Sequence, residues 1–130
     1  MVREFEVYTP DMGLVNISSQ ISEAVKSIGI QEGICLIFVP HTTAGLTINE
    51  GVDPSVAADI LAGLDELVPR LPYSHAEGNS PAHIKASLIG ASVTVPVTDG
   101  ELYLGPWQGI FLCEFDGPRL RSVRVNCVGA

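Results

Sequence analysis

The sequence predicts an α+β domain, and three observations carry that reading. Two Xaa–Pro pairs, Asp53–Pro54 and Ser80–Pro81, have the form of helix starts, with a capping residue followed by a proline whose missing N–H costs nothing there. Apolar residues recur at helical spacing after each of them. The chain opens on a segment of period-two alternation and reads as β throughout beyond Gly90.

The elements follow in order. Arg3–Thr9 sets Phe5 and Val7 against charged neighbours, as a half-buried strand does, and Pro10, Asp11 and Gly13 mark a turn. Between Ile17 and Gly29, the residues Ile21, Ala24, Val25 and Ile28 lie at helical spacing, with Ser18 or Ser19 as N-cap and Gly29 as the stop. Ile34–Val39 is continuously apolar and is expected to be a strand buried on both faces, ended by Pro40. Gly45–Asn49 forms a second short strand. A helix capped by Asp53 runs to about Leu67, with Val56, Ile60, Leu64 and Leu67 on one stripe, before Pro69 and Pro72. A further helix runs from Ser80 as cap, with Pro81 at the first position, to Gly90. Strands are expected at Ser92–Val97, Leu102–Trp107, Gly109–Phe115 and Arg119–Val128, with Asp99–Gly100 as a hairpin turn. No repeat, low-complexity tract or linker divides the chain, so residues 1–130 are read as one domain.

Composition narrows the function. A formal net charge of −8 argues against a general nucleic-acid binder, which gathers phosphates on a basic surface, yet leaves room for a local anion pocket. The hydrophobic share is 46% with only 17% charged residues, which points to a compact or self-associating body. Ile34–Pro40, the longest apolar run, is too short to span a bilayer as a helix, and no membrane partner is expected. MVREFEVYTP lacks the apolar centre of a signal peptide. Cys35, Cys113 and Cys127 are odd in number and widely spaced, so they are read as reduced core thiols of a cytoplasmic protein.

The chemistry concentrates in HAEGNSPAHIK, residues 75–85, which holds His75, Glu77, Asn79, His83 and Lys85 around a helix start. Helix N-termini present unpaired N–H groups and a partial positive charge, so Ala82 and His83 in the first turn, with Lys85, are expected to hold an anion. The simpler reading is a capped helix with a solvated approach. The histidine distribution favours a site: His41, His75 and His83 all stand beside breakers or turn residues. Three imidazoles suit either a divalent transition metal or metal-free acid–base work, and their spacing does not choose between the two. Thr42 and Thr43, in HTTAGLTINE, offer hydroxyls after the apolar strand; alone they are accounted for by β propensity. In EFDGPRLR, Asp116 suits a tight turn and Arg119 an anion clamp.

Together, HTTAGLTINE with the following DP, then Y-x-H-x-E-G-N, then AH with Lys85, then DGELYLGPWQGIFLCEFDGPR with Arg121, resemble the YjbQ (UPF0047) family, described as secondary thiamine-phosphate synthases. The resemblance covers nearly the whole chain. It implies two layers of β-sheet, sandwich-like, with flanking helices, assembled as a homotrimer with the polar motif residues in a pocket near the subunit interface. Those residues here are His41, Thr42, Thr43, Asn49 and Glu50; then His75, Glu77, Gly78, Asn79, His83 and Lys85; then Trp107, Gln108, Glu114, Asp116 and Arg119. Trp107 is read as an interface or core residue. Ser80–Pro81 and Pro106 depart from the usual pattern without removing a site group.

The activity so implied joins a pyrimidine pyrophosphate to a thiazole phosphate and expels pyrophosphate. Such chemistry calls for cations or N–H dipoles on the phosphates and commonly a divalent metal, here zinc on His41, His75 and His83 or magnesium held through Glu77 or Asp116. The expected roles are acid–base for His41, His75, His83 and Glu77, and binding for Thr42, Thr43, Asn79, Lys85 and Arg119. The principal substrate is expected to be some small phosphorylated molecule. The competing expectation is a non-catalytic metal- or anion-binding homotrimer. A purely structural module would leave the three histidines apart in space.

Overall fold

The computed structural model describes residues 1–130, which form eight strands and three helices. In chain order these are β1 (Val2–Tyr8), β2 (Gly13–Asn16), α1 (Ser18–Ile28), β3 (Gly33–Phe38), β4 (Ala44–Glu50), α2 (Pro54–Leu67), α3 (Ser80–Ile89), β5 (Ser92–Thr98), β6 (Glu101–Leu102), β7 (Gln108–Glu114) and β8 (Leu120–Gly129). A five-stranded sheet runs β1-β8-β3-β5-β6 and a three-stranded sheet runs β2-β7-β4, with every pairing antiparallel. This is the α+β class that the sequence predicts, with the two sheets and flanking helices that the resemblance implies.

Period-two alternation builds the core. Cys35 and Ile37 of β3, Val95 and Val97 of β5, and Val123, Val125 and Cys127 of β8 point inward from the larger sheet. They meet Ala44 and Leu46 of β4, Ile110 and Leu112 of β7, and Ile21, Ala24 and Val25 of α1 in one cluster. The alternate residues of β7 turn the other way: Cys113, with Phe115 just beyond the strand, packs on Leu64 of α2 and on Ala82 and Ala86 of α3. The smaller sheet is therefore covered on both faces. The helices end as local chemistry dictates. Asp53 caps α2 by accepting from the Ser55 N–H at 2.9 Å, and Gly29 closes α1 at φ +84°, a conformation that costs glycine little.

Several expectations are corrected. The doubly covered strand is β7, not β3, whose alternate residues Ile34, Leu36 and Phe38 are 54%, 40% and 40% exposed on the outer face of the larger sheet. Gly13, read as part of a turn, instead opens a strand, Gly13–Asn16, that pairs with β7. Strand pairing after the Asp99–Gly100 turn stops at Leu102: the Tyr103 N–H still donates to Pro96 O at 2.9 Å, but Pro96 has no N–H to return the bond. Ile17, not a serine, occupies the N-cap of α1, and Asn16 Oδ1 accepts the Ser18 N–H at 3.0 Å instead. Leu67 turns outward at 73% exposure, and Val68 takes the buried place.

Candidate active site

One end of the sheet sandwich holds charge where alternation would ordinarily put aliphatic residues. Glu114 continues the inter-sheet row of Ile110 and Leu112, and Arg121 continues the inward row of Val123 and Val125. Their side chains are 0% and 4% exposed and meet side-on. Arg121 Nε donates to Glu114 Oε1 at 2.7 Å and Nη2 to Oε2 at 2.5 Å, while Nη2 also donates to Thr43 Oγ1 at 2.9 Å and Thr43 O at 3.2 Å. Thr9 Oγ1 and the Asp116 N–H complete the Glu114 carboxylate. Burial pushes the Glu114 carboxyl up, but the bonds from Arg121, Thr9 and Asp116 outweigh it and hold it below its ordinary range. A buried carboxylate with both oxygens bonded in this way is held rigidly.

His41 stands on this base. Pro40 turns the chain out of the larger sheet just after β3, and His41 Nε2 accepts the backbone N–H of Ser122 at 2.9 Å. A backbone N–H can only donate, so Nε2 carries the lone pair and the neutral ring keeps its proton on Nδ1. Burial and the nearby Arg121 guanidinium lower the His41 pKa, with Glu114 offsetting part of the effect. Protonation at Nε2 would also forfeit the Ser122 bond. His41 is thus built as a neutral Nδ1–H donor.

The remaining groups come from the α2–α3 loop and α3. Asn79 is the N-cap residue of α3, but its side chain is turned away from the helix. Asn79 Nδ2 donates to Asp116 Oδ2 at 2.9 Å, and that bond, followed by Arg119, holds the Asp116 carboxyl below its ordinary range despite some burial. Arg119 Nε donates to Asp116 O at 2.7 Å and Nη2 to Asp116 Oδ2 at 2.9 Å. The turn carrying Asp116 and Arg119 lies hard against Pro10, where a Cβ on Gly117 would come within 2.0 Å of the Pro10 carbonyl oxygen. His75 from the loop and His83 from α3 meet edge to face, their ring centroids 5.5 Å apart and their planes at 76°.

These residues surround one cleft of about 430 Å³, lined by Pro40, His41, Thr42, Thr43, His75, Glu77, Asn79, His83, Arg119 and Arg121, with no hydrophobic residue among them. The three histidines therefore share a cavity although they come from separate segments. Imidazole, carboxylate, hydroxyl, amide and guanidinium face a single volume, which suits proton exchange with a polar, anionic guest.

Two expectations about this region fail. Lys85 does not reach the cleft: it is buried, pairs with Asp65 of α2, and lines a separate cavity of about 490 Å³ with Val68, Ala82 and Phe115. Helix geometry explains this, since two residues of α-helix turn the side chain about 200° from His83. The Ala82 and His83 N–H groups are not free for an anion either, because both point to Asn79 O, at 3.0 and 3.4 Å, and Pro81 has none. Asn79 thus replaces Ser80 as the cap residue and Pro81 moves to the second position. Among the residues carried over by resemblance, Asn49, Glu50 and Gln108 lie at the far end of the β4–β7 pair, where Glu50 faces Gln108 and Ala44 faces Glu114. Six residues of strand put them about 20 Å from Glu114. Trp107 adjoins them and is 63% exposed, so it is no core residue.

The metal expectation meets a chemical obstacle. No three His, Cys, Asp or Glu side chains of this chain converge closely enough to hold an ion. A neutral imidazole has one lone pair, and His41 spends it on Ser122. Zinc held by the three histidines together therefore finds no fitting ligand set within one chain.

Arg121 is the site residue that residue-by-residue reading passed over. Its signal was present in the alternation of β8, where a charged residue occupies an inward position and so requires a buried partner.

Comparison with known proteins places the chain. A family model described as UPF0047 protein YjbQ-like matches residues 3–130. A UPF0047 protein of Methanocaldococcus jannaschii is 51% identical over 117 residues, covering 89% of this chain and 85% of the relative. YugU of Bacillus subtilis, another UPF0047 protein, is 46% identical over 118 residues, covering 89% of each. Among solved structures, a YjbQ/UPF0047-family protein of Clostridium acetobutylicum superposes with a TM-score of 0.93 at 47% identity, covering 97% of this chain and 99% of that one. A YbjQ-like protein of Sulfolobus solfataricus gives 0.95 at 36% identity, covering 100% and 97%.

Proposed function

This chain belongs to the UPF0047 YjbQ-like family, and from that premise we propose that it is an enzyme acting on a small phosphorylated molecule by metal-free acid–base chemistry in the histidine cleft. The observation that carries the reading is the edge-to-face pair of His75 and His83 in one polar cleft with His41, Glu77 and two arginines. His75 and His83 exchange the proton, with Glu77 as the carboxylate beside them. His41 Nδ1–H and the Thr42 hydroxyl orient the guest, and Arg119 holds its phosphate.

Within that class we assign a weak thiamine-phosphate synthase activity. The thiazole nitrogen attacks the pyrimidine methylene carbon, the carbon–oxygen bond to pyrophosphate breaks, and the departing pyrophosphate takes the bonding electrons and a proton from His83 beside Arg119. Thiamine phosphate formation by wild type and His83→Ala tests this. A rate in wild type that His83→Ala lowers about a hundredfold is expected for loss of a general acid or base. Equal rates in the two proteins would overturn it. A cleft that binds phosphate compounds but turns none over belongs instead to a non-catalytic anion-binding module.

The proposal includes assembly as a homotrimer. Ile34, Leu36 and Phe38 form an apolar row on the outer sheet face, and Val128, 70% exposed, lies opposite Ile34 on the neighbouring strand. Buried area of this kind drives self-association. Sedimentation equilibrium is expected to give a mass about three times 13.8 kDa, reduced to one chain by Leu36→Asp. A monomeric wild type would refute it.

A further inference from the structure

The two arginines at the cleft are held alike. Each guanidinium has five N–H donors, and in each the edge formed by Nε and Nη2 is occupied by an acidic residue at the end of β7 or just beyond it. Arg121 is clamped by Glu114 and Arg119 by Asp116. In neither does Nη1 have a partner within the chain. Arg121 is 3% exposed, yet its Nη1 is not enclosed: the one unpartnered buried side-chain atom of the molecule is Asn79 Oδ1. Arg121 itself lines the cleft.

The cleft also continues past its histidines. A second lobe of about 520 Å³ shares His41, Thr42 and His83 with the first, and is otherwise walled by Ala44, Ala86, Ser87, Gly90 and Ala91. The wall has no charged side chain and no bulky one. Of the residues common to both lobes, His83 is one of the two proton-exchanging groups, and His41 and Thr42 are the ones that orient the guest.

We infer that the paired Nη1 groups of Arg119 and Arg121 form the phosphate seat of the first lobe, and that the second lobe takes a flat, uncharged body. The ligand class is accordingly a phosphate ester of a neutral, compact group, laid with its ester linkage over His41 and His83. This rests on the proposed function and deepens it by naming the substrate class and the seat. Each arginine is already neutralised by its carboxylate, and Glu77 adds a negative charge to the same cleft, so recognition depends on donor geometry more than on net charge. Inorganic phosphate alone should bind weakly, and the body should supply much of the affinity.

Calorimetric titration with inorganic phosphate and with phenyl phosphate tests both halves. Arg119→Met removes a half-exposed side chain, and Arg121→Lys keeps a positive charge against Glu114 while losing the fork. Each is expected to weaken both ligands about tenfold or more, as loss of a charge-assisted bond does. Should Arg121→Lys fold poorly by circular dichroism, Arg119→Met decides the seat alone. Ser87→Phe, an exposed position on α3, is expected to abolish the tighter binding of phenyl phosphate while leaving inorganic phosphate unchanged. Unaltered phosphate binding in Arg119→Met overturns the seat, and an unaltered preference for phenyl phosphate in Ser87→Phe overturns the second lobe. Failure of the enzymatic reading appears elsewhere, as unchanged turnover in His83→Ala, and leaves these affinities as predicted.

Discussion

Replacing Arg121 with Met leaves the Glu114 carboxylate at the end of the sheet sandwich with only Thr9 Oγ1 and the Asp116 N–H as partners. Breaking a buried ion pair by removing one member costs about 3–5 kcal/mol, because the remaining charge stays desolvated. Unfolding entropy of about 2.1 cal/mol/K per residue gives about 0.27 kcal/mol/K for 130 residues, so the melting temperature should fall by about 11–18 °C. The pH dependence should also reverse. In wild type the Glu114 pKa is depressed, so its contribution is present above the ordinary carboxylate pKa and is lost as the pH falls through the folded value. In Arg121→Met the buried, unpaired carboxyl binds its proton more tightly in the folded state, so the loss should shrink between about pH 7 and 5. Urea denaturation at fixed protein concentration, for the two single variants and Glu114→Gln/Arg121→Met, measures this. The double variant should be clearly more stable than the summed losses of the singles; additive losses would refute a coupled pair.

Further predictions follow from the same geometry. His41 should titrate below the usual imidazole range with Nε2 unprotonated when neutral, and nitrogen-15 NMR reads both; the stability linked to it should be lost as the pH falls below the unfolded imidazole value. Cys35 and Cys113, raised to about 12 by burial, with Cys127 adding to the shift of Cys35, should resist thiol reagents in the native protein and react on unfolding. Gly117→Ala should destabilise the protein and weaken ligand binding together, because its methyl group would meet the Pro10 carbonyl; unaltered melting would contradict that packing. Lys85→Ala should lower stability without changing the affinity for inorganic phosphate, since Lys85 faces Asp65 rather than the cleft.

Local chemistry was legible in the sequence, and cross-chain coverage was not. Asp53–Pro54 and Gly29 specify their helix ends through bonds to residues only two to four positions away. The apolar run of β3 and that of β7 look alike as sequence, but only β7 has helices over its second face, and those helices are supplied by residues 54–89. The convergence of His41, His75 and His83 was anticipated from their placement beside breakers, which mark strand and helix ends. Lys85 lies close to His83 in sequence but on another side of α3, so sequence proximity does not bring it to the cleft. The Glu114–Arg121 pair joins two sheets, so the spacing of its members says nothing direct about contact; only the charged residue at an inward position of β8 announced it. The helix start at Ser80–Pro81 suggested free N–H groups that the Asn79 carbonyl in fact receives.

The central claim is that the cleft of His75 and His83 performs proton transfer on a phosphorylated guest. Steady-state turnover of a panel of phosphate esters by wild type, His75→Ala and His83→Ala at matched concentrations tests it most directly. At least one ester should be turned over by wild type and slowed about a hundredfold or more in both variants, with circular dichroism unchanged. Rates that stay equal across the three proteins would contradict the claim.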